Sequence, residues 1–494
     1  MTMQRSTWPR VAIVGAGMSG LCMGETLKQA GIEDFTIYEK ADELGGTWRE
    51  NRYPGLTCDV PSRFYSFSFS PNPNWSSVFS PGPEIQDYFL RVAAERGLRP
   101  QIRFGTEIVD ACWHDDRWIL RAADGTTTQA EVLVTATGVL HHPKLPEIPG
   151  RETFAGTAFH SARWDTGVDL RDKRVAVIGT GSTGVQIVCA TAGVAQQLLV
   201  FQRTAQWILP LPNRRYSRLT NAAMCRWPRL NRLAYHGYRR LFEAMVGPAL
   251  TRPSWQRTLF GVMCRANLRF GVRDRQLRAR LTPDYQPMCK RLVMSADFYR
   301  AMQHRSVELV TSPIDHIEPD AIVTADGTAH HVDVIVYATG FDTHAYMRPM
   351  TITGEAGMTL EQAWANGPRA YRTVAIPGFP NLFTLMGPHS PVGNHSLIAV
   401  AETQARYVLA WIQRMRRDNI AAVAPSQAAT DDYYTELKAA LPGTVWVTGC
   451  QSWYLDANGD PEVWPWTPRR HREMLAEPRP EHYTVSMAGQ SVSR

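Results

Sequence analysis

Val11-Ala-Ile-Val14-Gly15-Ala-Gly17-Met-Ser-Gly20 and Arg174-Val-Ala-Val-Ile178-Gly179-Thr-Gly181-Ser182-Thr183-Gly184 are two copies of one pattern, an apolar run that breaks into glycines and passes into a helix-compatible segment. The pattern predicts the strand, tight turn and helix of a dinucleotide-binding unit: one glycine makes the turn, the next admits a pyrophosphate against the backbone, the third lets helix and strand pack closely. Either copy alone is a weak signal, because glycine turns also arise for packing. What stands 19 positions beyond each third glycine separates the two copies. Glu39 ends the run Phe35-Thr-Ile-Tyr38, where a carboxylate accepts hydrogen bonds from ribose hydroxyls and repels a 2′-phosphate. Arg203 follows Leu198-Leu-Val-Phe201, where a guanidinium fork clamps that phosphate. The first site suits FAD or NAD and takes Gly15, Gly17, Gly20 and Glu39; the second suits NADP and takes Gly179, Gly181, Ser182, Thr183, Gly184, Gln186 and Arg203. Two further strand-like runs, Val132 to Gly138 and Val334 to Gly340, end in the same Ala-Thr-Gly and read as strands returning beneath the bound nucleotides.

A chain of 494 residues exceeds one ordinary core, and 44% hydrophobic against 20% charged residues is globular composition. The apolar stretch Val11 to Met23 superficially resembles a signal peptide, but the first glycine turn explains it better. No run of about eighteen apolar residues occurs, so no spanning helix is expected. Eight cysteines are scattered without a CxxC pair or zinc-type spacing, which predicts reduced thiols, a cytoplasmic setting and no metal. Charge is unevenly spread: residues 214–280 hold sixteen arginines against Glu243 and Asp274, a net +14 that leaves −7 for the rest of a +7 chain. Leu230, Leu233, Ala234, Tyr238, Leu241 and Met245 recur there at helical spacing. A solvated basic helical face that steers anionic NADPH is the expected reading. Weak contact of 214–280 with a membrane surface stays open, and nucleic acid is not expected.

Phe154-Ala-Gly156-Thr-Ala-Phe-His160-Ser-Ala-Arg-Trp164-Asp165 lies between the two turns and resembles the FxGxxxHxxxW(P/D) fingerprint of type I Baeyer–Villiger monooxygenases. Gly46-Thr-Trp48-Arg-Glu-Asn-Arg-Tyr53-Pro54-Gly55-Leu-Thr-Cys-Asp59 resembles that family's GxWxxxx(F/Y)PGxxxD signature. The resemblance continues through Gln202-Arg203-Thr204, Cys289-Lys290-Arg291, Gly387-Pro388-His-Ser390-Pro391 and Cys450-Gln-Ser452-Trp453-Tyr454. It departs at Asp456 and Gly459-Asp460, and residues 205–288 match loosely.

The resemblance implies an α/β fold of two Rossmann-like dinucleotide-binding domains, for FAD and NADP, with a helical insert in the NADP domain. The expected boundaries are 1–145 plus 340–494 for FAD and 146–339 for NADP, with the arginine-rich insert at 208–288. It implies insertion of one oxygen of O2 next to a carbonyl, ketone to ester or lactone, through a C4a-peroxyflavin. Arg291 would be the catalytic cation, steadying negative charge in a dry site and held by Asp59. Lys290 and Thr204 would join Arg203 at the 2′-phosphate. Gly46 and Trp48 would line the flavin, Trp453 the nicotinamide ribose, and His160 and Trp164 would tie the domains together. The partners expected are a small carbonyl compound and O2, with the protein a monomer or homodimer. Open alternatives are an N- or S-oxygenating flavin monooxygenase, in which no carbonyl oxyanion forms, and an NADPH oxidase. A disulfide reductase would need paired cysteines near the flavin, and a binding module would turn over no NADPH.

Overall fold

The computed structural model describes residues 8–393, 395–456 and 458–488. Two five-stranded parallel sheets organise it. The first runs in the order Leu382–Thr384, Val132–Thr135, Val11–Val14, Phe35–Tyr38, Ile102–Arg103. The second runs Val307–Val310, Gln197–Phe201, Arg174–Ile178, Val334–Tyr337, Thr157–His160. The central strands Val11–Val14, Val132–Thr135 and Val334–Tyr337 are buried throughout, as continuous apolar runs must be when a parallel sheet is covered on both faces.

Register brings each glycine turn to its partners. Val14 lies opposite both Tyr38 and Thr135, so Gly15, Glu39 and Ala136 meet at the carboxyl ends of three neighbouring strands. Ile178 lies opposite both Phe201 and Tyr337, which does the same for Gly179 and Ala338. The two Ala-Thr-Gly strands therefore flank the two glycine turns. A Cβ on Gly15 would stand 2.6 Å from the Ala136 carbonyl oxygen, and one on Gly179 would stand 2.5 Å from that of Ala338. Gly15 and Gly179 hold φ of +107° and +110°, a region that favours glycine. Helix α1 (Met18–Gln29) leaves the first turn and α2 (Ser182–Thr191) leaves the second.

The arginine-rich stretch is helical as its periodicity predicts. Helix Arg218–Arg226 is followed by α3 (Pro228–Thr251), α4 (Trp255–Gly271) and a short helix Arg275–Arg280. Buried Arg63 fastens it to the first half of the chain, donating to Asn231 Oδ1 at 3.0 Å and Asn221 Oδ1 at 3.1 Å while its guanidinium covers the Tyr216 ring.

One expectation on the cysteines is corrected. Cys289 and Cys450 form a disulfide, their Cα atoms 6.1 Å apart across 161 residues of sequence. The two motifs that these cysteines open converge in space, a meeting that linear spacing does not reveal. Among the described residues no helix is long and apolar enough to cross a membrane.

Candidate active site

At the first turn the Glu39 carboxylate is buried and already oriented. Oε2 accepts from Ala16 N at 2.9 Å, and Oε1 accepts from Ala41 N at 3.1 Å and Arg49 Nη1 at 3.1 Å. Arg49 also pairs with Glu50, and Glu50 with Arg163, so a chain of charges runs from Glu39 to the residue before Trp164. Gly45 N donates to Ala16 O at 3.0 Å, which draws the Gly45–Gly46 loop over the turn. A Cβ on Gly46 would come within 3.1 Å of Gly17 Cα. Two side-chain-free backbones thus face one another at a helix N-terminus, a cradle of the kind a pyrophosphate fills and a single methyl group would close. Trp48 lies next to it and donates from Nε1 to Tyr65 Oη at 3.0 Å.

At the second turn a Cβ on Gly184 would lie 2.1 Å from Gly179 O, so helix and strand are in direct contact. Thr180 Oγ1 donates to Thr204 O at 3.1 Å, fixing the segment that carries exposed Arg203. Lys290 reaches the same place: its Nζ stands 4.8 Å from the Tyr285 ring centre, and burial, with Arg203 nearby, lowers its pKa. Two cations brought together, with Asp284 the carboxylate that acts on Lys290, are the kind of donor set a doubly charged phosphate requires. Gln186 stands on the helix that leaves this turn and ties it to a neighbouring loop. Its Oε1 accepts from Tyr53 Oη at 3.0 Å and its Nε2 donates to Thr57 O at 3.0 Å, joining α2 to the Tyr53–Thr57 loop.

Arg291 and Asp59 come together from 232 residues apart. Arg291 Nε and Nη2 both donate to Asp59 Oδ2, at 2.9 and 2.6 Å. The carboxylate raises the guanidinium's already high pKa, so the positive charge is permanent. Tyr454 Oη accepts a further hydrogen bond from Arg291, and burial raises its own pKa. A Cβ on Gly393, whose φ is +92°, would fall 2.7 Å from Tyr454 Oη and 4.0 Å from Arg291 Nη1, so the 387–393 loop passes over this pair. Trp453 is partly exposed, its ring centre 4.2 Å from that of Tyr454. Both line a cleft with Val139, Met386 and Val392. His344 Nε2 and Glu462 Oε2, 2.7 Å apart, sit on its wall and tie the Tyr454–Glu462 segment to the residues after the second Ala-Thr-Gly.

The Phe154–Asp165 motif is an edge strand and its turn. Thr157–His160 pairs with Val334–Tyr337, and a Cβ on Gly156 would meet Asp333 O at 2.6 Å. His160 Nδ1 accepts from Ala162 N at 3.1 Å, its ring edge lies on Phe341, and burial lowers its pKa, so the ring is a neutral cap. Trp164 packs edge-on against Phe159, and Asp165 Oδ1 accepts from Gly167 N at 2.9 Å. These contacts are structural.

Sequence reasoning assigned no role to Tyr454, Gly393 or the Cys289–Cys450 bond. A signal existed for the last, since Cys289 and Cys450 each open one of the two matched motifs.

A family model described as flavin-binding monooxygenase-like matches residues 9–415. An uncharacterised monooxygenase of Mycobacterium tuberculosis is 58% identical over 477 residues, 97% of this chain and 96% of that one. A Baeyer–Villiger monooxygenase of Streptomyces coelicolor is 38% identical over 98% of this chain and 93% of its own length. The crystal structure of OTEMO in complex with FAD and NADP superposes with a TM-score of 0.88 at 27% identity, covering 98% of this chain and all of that one.

Proposed function

Since the chain belongs to the flavin-binding monooxygenase-like family, among its Baeyer–Villiger members, we propose that it binds FAD at the Gly15–Gly20 turn and NADPH at the Gly179–Gly184 turn, and inserts one atom of O2 beside a carbonyl. The balance is ketone, NADPH, O2 and a proton to ester or lactone, NADP+ and water. The FAD part would comprise 1–145 and 340–494, the NADP part 146–339, and the enzyme would work in the cytoplasm, where NADPH is regenerated.

Flavin, when bound, supplies the electrons that activate O2. The protein's own residues do the rest. Glu39 meets ribose hydroxyls, while the glycine cradle of Gly17 and Gly46 admits the pyrophosphate without a clash. Arg203 and Lys290 select the 2′-phosphate. Arg291 holds a fixed cation where negative charge gathers on oxygen, first on the attacking atom and then on the carbonyl oxygen. Asp59 and Tyr454 fix its orientation, so little reorganisation is needed as that charge develops.

The observation that carries this reading is the Arg291–Asp59–Tyr454 cluster, built from three distant stretches of chain beside Lys290. The test is to purify the yellow protein and screen a ketone panel with NADPH for products heavier by one oxygen. Esters or lactones are expected. A protein that takes up no flavin, or one that yields sulfoxides and never an ester, overturns the proposal.

A further inference from the structure

Helices α3 and α4 present an apolar face that no other element covers among the described residues. The inward side of α3 places Tyr235 and Phe242 against buried Phe64, next to the segment that carries Asp59. Its outward side repeats Leu230, Leu233, Gly237, Leu241 and Ala244, a spacing of three and four that aligns them in one stripe. Leu233 is 66% exposed and Leu241 60%. Gln256 Nε2 donates to Ala244 O at 3.0 Å, so the first turn of α4 adjoins the end of the stripe, and exposed Trp255, Leu259 and Val262 extend it. Nine of the fourteen exposed large apolar side chains among the described residues lie between 219 and 270. Single exposed leucines need no explanation; such a concentration does.

Charge decides what covers the face. Exposed Arg229, Arg232, His236 and Arg240 flank the stripe. The two carboxylates of 214–280 are both occupied: Glu243 is held by Arg472 at 2.7 and 3.0 Å, and Asp274 accepts from Leu277 N at 2.7 Å to cap its helix. A second copy docked here about a two-fold axis would set arginine against arginine. A nucleic acid would satisfy the arginines but leave the leucines with nothing to do.

We propose that the outer face of α3 and α4 docks on an anionic bilayer surface, the Leu and Trp side chains entering the headgroup–acyl boundary and the arginines pairing with lipid phosphates. Helix α3 then separates the lipid from the neighbourhood of Asp59. The inference does not depend on the reaction assigned to the site.

The experiment is co-sedimentation of the full-length, flavin-loaded protein with vesicles of phosphatidylcholine and phosphatidylglycerol mixed about three to one, beside pure phosphatidylcholine vesicles. Binding to the anionic vesicles that weakens with salt is expected. The double substitution Leu233→Asp/Leu241→Asp should cut it at least about ten-fold with flavin content and NADPH oxidation unchanged, and Arg232→Glu/Arg240→Glu should do likewise with flavin content unchanged. Failure to bind anionic vesicles at low salt overturns the proposal, and so does binding that survives the leucine substitutions. A doubled mass in light scattering that those substitutions return to the monomer value overturns it in favour of a second copy. Retention on duplex DNA without vesicle binding overturns it in favour of a nucleic acid.

Discussion

Arg291 shows how much one side chain's surroundings decide. Its two donors to a single Asp59 oxygen turn the guanidinium in one direction, and Tyr454 closes another side. Arg291→Ala should lower ester formation by about 10²–10³-fold, the cost of losing one preorganised charge donor, while NADPH still bleaches the flavin. Stopped-flow absorbance and product analysis separate the two steps, and unchanged ester yield contradicts the role. Arg203→Ala should raise the KM for NADPH about ten-fold or more and leave that for NADH nearly untouched, since a charged hydrogen bond of about 1.5–3 kcal/mol is lost. The His344–Glu462 pair gives a pH signature. The bond to Glu462 raises the His344 pKa, so its contribution is complete below the ordinary histidine value and disappears as pH rises through the elevated one. Removing the imidazole with His344→Gln should therefore lower the melting temperature at pH 6 and leave it unchanged at pH 9. Arg291, Asp59 and Lys290 could be named in advance because each stands inside a short motif. Tyr454 also stands inside a matched motif, but a tyrosine carries no fixed charge that asks for a partner, and only the fold brings its hydroxyl to Arg291, 163 positions away.

The glycine turns were the most legible elements, because their requirement is local: a strand, a positive φ and a helix that must touch the strand. An added methyl group on Gly20 would lie 1.9 Å from Gly15 O, and one on Gly184 would lie 2.1 Å from Gly179 O. Either must push its helix outward, at a typical overpacking cost of about 1–3 kcal/mol. Gly20→Ala should purify with little or no flavin. Gly184→Ala should remain yellow and lose NADPH affinity by about 5- to 150-fold, the same free energy expressed as binding. Flavin absorbance and NADPH titration distinguish them, and if both variants lose flavin the two-site assignment is wrong. The helices of 218–280 were legible for the same reason, periodicity. Which side of α3 faces outward was not, since Leu230, Leu233 and Leu241 have the composition of a core face, and only the packing of Tyr235 and Phe242 on Phe64 turns them to solvent.

At the scale of the whole chain, the halves that carry the two sheets are joined by the Arg163–Glu50 ion pair, the Gln186–Tyr53 contact and one covalent bond between Cys289 and Cys450. That bond closes a loop of 161 positions, and its removal by Cys450→Ser should reduce stability by about 2–4 kcal/mol. A lower melting temperature in the variant, matched by wild type in a strong reductant and not lowered further in the variant, is the expected pattern. The sulfur link also acts as a rivet. A rivet between two plates prevents sliding and still allows turning, and displacement grows with distance from it. Arg291 stands two positions from Cys289 and Tyr454 four positions from Cys450, so the bond links the two segments that meet in this cluster. A covalent link this near limits how far the guanidinium and the tyrosine hydroxyl can separate.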